Sequence, residues 1–518
     1  MAQQDDPIEA AVAEMLDGST AEPVPEAGAK PAPKPADPRP EPAAPADVPL
    51  AAITARFQAM ADGAPARRAG LDYARRVTAL KTLSAAIRKS EAEIIAALAE
   101  DLGKPEPEVR LTEIMPVQAE IAHTLKHLKR WMRPKRARGT LIAFGTRARI
   151  RPEPKGTALI VSPWNYPFGL ALGPLVSALA AGNAAIIKPS ELAPATSALV
   201  ARLVSEAFAP DFVWVAEGGV GVAQALMDLP FDHLFFTGSP EVGRKVMAAA
   251  ARHLTPVTLE LGGKSPVIVG EGADLKAAAR AIAWGKFANA GQTCIAPDHV
   301  YVARGVEKRF VAELKAAIAK MYGRTPEAQA AGRDYARIVS GRHFVRLTGM
   351  IDEACAAGAE LVAGGESDRA TRFLAPTVLR NVNPGAALMR EEIFGPVLPL
   401  VPFDDLDGVI ARINAGPKPL ALYVFDKDRA RIEAICAQTS SGGVGINVTL
   451  AHYMHLNLPF GGIGNSGIGA AHGEWGFRAF SHEKPVLENR FAPLGGFMPP
   501  YRGMKARRIR LMARILGR

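Results

Sequence analysis

Apolar residues recur at helical spacing from about Leu50 to Met132. Leu50, Ile53, Phe57 and Met60 form one set, Val77, Leu80, Leu83 and Ile87 a second, and Ile94, Ile95 and Leu98 a third. A repeat of three to four residues lays one apolar stripe along each segment, which predicts a series of amphipathic helices continued over Thr112–Leu128. The charged run Arg133–Arg138 ends the series. Two short runs around Gly145, within Thr140–Pro152, then predict a β-hairpin that leaves the body of the fold.

After Gly156 the period changes. Short apolar runs at Thr157–Val161, Asn183–Ile187, Phe212–Val215, His233–Phe236 and Thr255–Leu261 alternate with helical text. The helices fall at Leu170–Ala181, Ala195–Phe208, Val222–Leu229 and Pro240–Ala251. Strand–helix alternation with short connections requires right-handed crossovers and a parallel sheet covered on both faces. A second α/β unit follows, with strands at Val267–Val269, His299–Val302, Ala375–Leu379 and Pro396–Val401. Its helices are expected at Leu275–Phe287, Glu307–Met321 and Phe344–Ala357, and strand and loop text over Ser441–Thr449 closes it. Cys355 and Cys436 sit in alanine-rich helical patterns and are expected to be core fillers.

Before all this lies a stretch that cannot build a core. Ten prolines fall between Pro23 and Pro49, interleaved with alanine and charge, so residues 1–49 are expected to be an extended tail. A short helix around Ile8–Leu16 is the one structured candidate in it.

Composition narrows the class. At 518 residues the chain exceeds what one core usually serves, and 48% hydrophobic with 22% charged residues is ordinary for a globular protein. Three cysteines without a CxxC pair exclude a disulfide framework and a zinc site, and fit a reducing, cytoplasmic setting. The first residues have no apolar stretch of a secretory signal, and no apolar run reaches bilayer length. The net charge of +10 belongs to one end. Residues 501–518 hold seven basic side chains and no acidic one, leaving +3 elsewhere, so no nucleic-acid surface is expected. In that tail Tyr501, Met504, Leu511, Met512, Ile515 and Leu516 approximate one helical face among arginines. Such a helix can lie on a membrane surface, or the tail can cover a substrate funnel.

Parallel α/β sheets bind ligands beyond the carboxyl ends of their strands. There the sequence places Ser162-Pro163-Trp164-Asn165, Lys188-Pro189-Ser190-Glu191 and Thr237-Gly238-Ser239-Pro240-Glu241-Val242-Gly243. The last opens a helix, whose free N–H groups suit a phosphate. Lys188 offers a cation, and Glu191 an acceptor for a ribose diol. Nucleotide binding is the reading that unites them. Gly462-Ile-Gly464-Asn-Ser-Gly467 matches a dinucleotide fingerprint by letter but lacks a βαβ frame, and reads as a loop of close backbone approach. One cysteine stands apart from apolar periodicity. Cys294 follows Gly291-Gln292-Thr293 in loop-like text, and Glu260 in Leu259-Glu260-Leu261-Gly262-Gly263-Lys264 offers a base for its thiol or for a water.

Taken together these segments resemble the aldehyde dehydrogenase superfamily over residues 50–490. The resemblance rests on Pro163–Phe168, Lys188–Glu191, Phe236–Ser239 with Gly243, Leu259–Lys264, Gly291–Cys294, Glu391-Glu392-Ile393-Phe394-Gly395-Pro396 and Leu458–Gly462, all in family order. Finer text, including Ile282–Lys286, Cys294–Asp298, His452 and Gly467–Gly473, is similar to the class 3 branch of coniferyl-, aromatic- and fatty-aldehyde enzymes. The resemblance implies an α/β fold with a Rossmann-type dinucleotide domain (50–135 and 154–262), a catalytic domain (263–450) and a return segment (451–477). It also implies a small oligomerisation extension (136–153 and 478–490) and a homodimer. Cys294 is implied as nucleophile, Asn165 as oxyanion donor and Glu260 as base. Trp164, Lys188, Ser190, Glu191, Gly238, Ser239, Gly243, Leu261, Glu392 and Phe394 are implied to hold NAD, with NADP possible and no metal. Gln292, Trp164 and Phe394 are expected near an apolar funnel for an aldehyde, first an aromatic one of the coniferyl type and second a medium or long aliphatic one. Alternatives are an acyl-CoA-forming relative, against which Glu260 argues, a cysteine hydrolase, for which only His299 stands near, and a scaffold that keeps the fold.

Overall fold

The structure, a computed structural model, describes residues 46–70, 72–140, 143–492 and 498–516. The segment around Ile8–Leu16 lies outside the described residues.

Side chains along a strand alternate between the two faces of its sheet, and the first sheet shows the consequence. Ala158, Ile160, Ala185, Ile187 and Phe235 enter one core, packed under the helices Tyr73–Lys89, Met115–Trp131, Gly169–Ala181 and Pro194–Ala207. Their neighbours Leu159, Ile186, Leu234, Phe236 and Leu259 enter another, against Ile53, Phe57 and Met60 of Leu50–Asp62 and Val246 of Pro240–Ala251. The sheet has six strands in the order Gly467–Ile468, Val257–Leu261, His233–Gly238, Thr157–Val161, Ala184–Lys188 and Val213–Val215. All pairs are parallel except the first.

A second, seven-stranded sheet runs Glu360–Ala363, Thr377–Arg380, Val397–Phe403, His299–Ala303, Pro266–Val269, Ala421–Phe425 and Gly443–Ile446. Only Glu360–Ala363 is antiparallel to its neighbour. The strand Ala421–Phe425 and the helix Leu406–Ala415 are additions to the sequence reading, and the helical pattern around Cys436 is the helix Arg429–Gln438.

The third sheet corrects the expected hairpin. Its arms are Lys135–Arg136 and Thr146–Pro154, and Thr146–Pro154 pairs along its whole length with Ser481–Asn489. Ala143 and Phe144 lie in the turn before Gly145, not in a strand. Cys355 is also corrected. It is exposed, one position off the stripe of Phe344, Leu347, Met350, Ile351 and Ala354 that the helix Gly341–Ala356 buries, while Cys436 is half-buried at the edge of a small cluster. The C-terminal segment forms a helix, Met504–Leu516, that buries no residue. Among the described residues no helix is long and apolar enough to cross a membrane.

Candidate active site

The strand Val257–Leu261 carries Glu260 inward, and the glycine loop presses on it. Gly467 pairs with Glu260 and Ile468 with Leu259, and a Cβ on Gly467 would stand 2.2 Å from the Leu259 carbonyl oxygen. The φ of +147° at Gly467 and that contact both require glycine. The loop is therefore a backbone clamp on the Glu260 strand; its glycines lead into an antiparallel edge strand, and the next helix starts only at Gly473, so the βαβ frame of a dinucleotide fingerprint is not there.

Glu260 is buried, and neither carboxylate oxygen has a hydrogen-bond partner among the described residues. An unpaired buried carboxylate resists ionising, so its pKa lies well above the usual range, with burial as the cause. Cys294 opens onto the same cavity. Burial, with Glu392 and Glu260 adding negative potential, pushes its thiol up to about 12. The cavity encloses about 1050 Å³, including solvent at its mouth, and draws Phe235, Thr237 and Glu260 from the first sheet. Tyr166, Trp284, Tyr453 and Phe460 give it aromatic walls.

The loop that presents Cys294 is held in an unusual backbone. Asn289 and Ala290 both have φ near +50°, and two buried amides stabilise the bend. Asn289 Nδ2 donates to the Asn165 carbonyl (2.8 Å) and to the Gln292 carbonyl (3.2 Å). Gln292 donates from Nε2 to the carbonyls of Asn289 and Arg337 and accepts from the Val339 N–H, all within 3.0 Å. Asn165 is buried and its side chain donates to the Gln292 carbonyl at 2.9 Å. Tyr166 OH meets Thr293 Oγ1 at 2.7 Å, a second tie between the two loops.

Sequence reasoning missed the group beneath. Lys104 and Glu113 form a fully buried ion pair at 2.6 Å, and Lys104 also donates to the Asn165 carbonyl at 3.2 Å. Glu113 accepts the Gly169 N–H, and Glu108 the Asn289 N–H. The sequence reading singles out neither glutamate. The Pro105 that breaks the helical run right after Lys104 was the only available signal.

At the strand ends of the first sheet, Lys188 Nζ sits 2.8 Å from Glu191 Oε2, and Ser190 is buried beside them. Ser239 caps Pro240–Ala251, accepting the Val242 N–H, directly after Gly238. Gly243 lies against Leu261, where a Cβ would come within 2.7 Å of its side chain. Glu392 folds onto Gly262, at which a Cβ would meet Glu392 Oε2 at 2.2 Å, and burial raises its carboxyl to about 8. Its segment is pinned from below. Lys264 Nζ donates to Asp298 Oδ1 (2.5 Å) and the Glu391 carbonyl (2.7 Å), while Asp298 accepts the Ile393 N–H and Arg346 donates to the Ile393 carbonyl. His299 is buried against Asp298 and does not line the cavity of Cys294; the histidine that does is His472, which is turned toward Glu120.

The expected funnel needs correction. Trp164 and Phe394 stack edge to face at 5.3 Å, with His343 against Trp164, and Gln292 is spent on the loop. None of the three lines the cavity, and neither does any residue of the C-terminal helix. Their side chains were committed to packing and backbone hydrogen bonds that sequence order does not reveal.

Two covered, mainly parallel sheets thus bring a thiol and an unpaired carboxyl into one apolar cavity. Residues 45–486 match the aldehyde dehydrogenase family, and the chain belongs to that family. It is an NAD(P)-dependent aldehyde dehydrogenase similar to family 3 members. It is 44% identical to 4,4'-diaponeurosporen-aldehyde dehydrogenase of Staphylococcus aureus over 433 residues, covering 83% of this chain and 93% of that protein. Aldehyde dehydrogenase family 3 member H1 of Arabidopsis thaliana is 42% identical over 442 residues, 85% of this chain and 90% of the relative. Among solved structures, the substrate-bound state of Staphylococcus aureus AldH aligns with a TM-score of 0.85 at 42% identity, covering 89% of this chain and 99% of that one.

Proposed function

We propose that the chain oxidises an aromatic aldehyde of the coniferyl type to its acid through a thioester on Cys294. The observation that carries the chemistry is the shared cavity of Cys294 and Glu260, in which Glu260 has no partner to neutralise it. Cys294 Sγ adds to the aldehyde carbon as thiolate, its proton passing to Glu260 directly or through a water. The Asn165 amide and the Cys294 N–H stabilise the oxyanion. When bound, NAD(P)+ would supply the hydride acceptor. With hydride gone the carbonyl re-forms as a thioester. Glu260, having passed its proton to solvent, then deprotonates a water that adds to the thioester carbon, and the thiolate leaves with the acid as product. Glu260 is the reason to prefer hydrolysis to release onto coenzyme A.

The residues fit a dinucleotide. Ser239 caps a helix directly after Gly238, Gly243 permits that helix to approach Leu261, and Glu392 reaches over Gly262. Lys188, Ser190, Glu191, Trp164 and Phe394 complete the set. The Lys188–Glu191 pair supports NAD as the preferred form, since a carboxylate opposes a 2′-phosphate, with NADP used less well. Residues 50–135 and 154–262 are then the dinucleotide domain and 263–450 the catalytic domain. The aromatic walls of the cavity favour an aromatic substrate, with a medium or long aliphatic aldehyde second.

Two placements go with this reading. The outer edge of Ser481–Asn489, which no described strand covers, supports a homodimer. The uncovered helix Met504–Leu516, with Met504, Leu511 and Ile515 exposed among arginines, supports peripheral attachment to an anionic membrane from a reducing, cytoplasmic side. The test is NADH formation at 340 nm with coniferaldehyde, benzaldehyde, hexanal and hexadecanal, in wild type and Cys294→Ala. Coniferaldehyde should rank first and the variant should be silent. Hexadecanal ranking first would replace the substrate class, and turnover by Cys294→Ala would remove the mechanism.

A further inference from the structure

The wall of the Cys294 cavity carries one ionisable pair that the reaction does not use. Glu120, on Met115–Trp131, and His472, just before Gly473–Ala479, both line it. Glu120 is buried. One of its carboxylate oxygens accepts the Gly473 N–H at 2.8 Å and the other faces His472 Nδ1 at 3.3 Å. The His472 ring is boxed by Tyr453 (centroids 4.7 Å apart) and Phe460 (5.5 Å). Its backbone has φ +69°, an uncommon conformation for a residue with a Cβ. Tyr453 lines the same cavity as Cys294 and packs edge to face on the His472 ring.

Hydrogen-bond arithmetic assigns the ring's orientation. A carboxylate only accepts, so Nδ1 carries the proton toward Glu120, and Nε2 of the neutral ring is left as an acceptor. Among the described residues no hydrogen bond uses Nε2. In an otherwise apolar pocket, one oriented acceptor fixes how a ligand lies.

We infer that the Glu120–His472 pair is a specificity post for a hydroxyl group at the far end of the aldehyde, with His472 Nε2 accepting that hydroxyl's proton. The inference rests on the proposed aromatic-aldehyde reading and deepens it, because it selects aldehydes that bear a phenolic or alcoholic hydroxyl away from the carbonyl. A site built to pair a hydroxyl discriminates against the molecule lacking it, through the acceptor then left dry and unpaired.

The experiment compares kcat/KM for 4-hydroxycinnamaldehyde, 4-methoxycinnamaldehyde and cinnamaldehyde in the full-length enzyme. Wild type should favour the hydroxylated compound over cinnamaldehyde by on the order of tenfold. His472→Phe should keep turnover of cinnamaldehyde and lose that preference. Should His472→Phe not fold, Glu120→Gln decides. It can still accept the Gly473 N–H, but its amide N–H faces Nδ1 and moves the ring proton to Nε2. The hydroxyl preference should then shrink, and 4-methoxycinnamaldehyde, which can only accept, should gain. Equal efficiency with cinnamaldehyde and 4-hydroxycinnamaldehyde in wild type would overturn the inference alone. An unaltered preference in a folded variant would overturn it as well. Failure to oxidise any of the three would remove the aromatic reading and the inference together.

Discussion

The side-chain amide of Asn165 donates to the main-chain carbonyl of Gln292 at 2.9 Å, two residues before Cys294. This bond joins the first strand end of one sheet to the loop that carries Cys294. It aims one N–H of the amide and leaves the second to be directed by the same plane. Replacing Asn165 by Ala removes both the aim and the donor. We expect kcat to fall by about 10²–10³, the usual cost of one oxyanion donor, with a smaller change in aldehyde KM. Steady-state kinetics on the folded variant check this, and a KM-only effect would contradict it.

The cofactor-free thiol is expected to be quiet. With Cys294 pushed up to about 12, its thiolate is scarce at neutral pH, and the fraction grows about tenfold per pH unit until the thiol titrates. Alkylation of Cys294 by iodoacetamide should therefore climb from pH 7 to 9.5 with that slope, as read by peptide mass spectrometry. Exposed Cys355 is the internal control for reagent and access. A rate already level at pH 7 would mean an activated resting thiolate.

Glu191 is expected to set the dinucleotide preference. It is about one-third exposed and paired to Lys188, so its charge bears on any phosphate placed beside that pair. Glu191→Gln should raise kcat/KM for NADP by about tenfold, the scale of one near-surface charge interaction, and leave NAD within a few-fold. No gain with NADP would take the ribose away from this position.

The C-terminal helix is expected to act on membranes and not on turnover. Removing residues 501–518 should abolish cosedimentation with phosphatidylserine vesicles while leaving kcat on soluble aldehydes unchanged. Wild-type binding should weaken in high salt, because exposed charges are screened. Undiminished binding after the deletion would end the membrane reading.

Much of this was legible because period and punctuation carried it. Pro240–Ala251 and Leu275–Phe287 have the bounds their apolar spacing gives, and the strand ends that position Asn165, Lys188 and Ser239 fall where short apolar runs stop. What stayed hidden depends on partners far along the chain. The ion pair of Lys104 and Glu113 spans only nine residues, but its purpose is visible only once Asn165 lies against it. Gln292 was expected near the funnel, yet its amide is used up 45 residues on, at Arg337. The strand Ala421–Phe425 is a fully buried apolar run between two helices, a pattern that periodicity alone does not separate from helix. Cys355 was misplaced by one position on a helical wheel.

The most direct test of the account is single-turnover chemistry in Glu260→Gln. Mixed with NAD+ and coniferaldehyde, this variant should release about one NADH per site, more slowly than wild type because the Cys294 proton has lost its acceptor, and then stop. Intact-mass and peptide analysis should find the acyl group on Cys294, because oxidation has run and hydrolysis has lost its base. Steady turnover at the wild-type rate, with Cys294 unmodified throughout, would contradict the account.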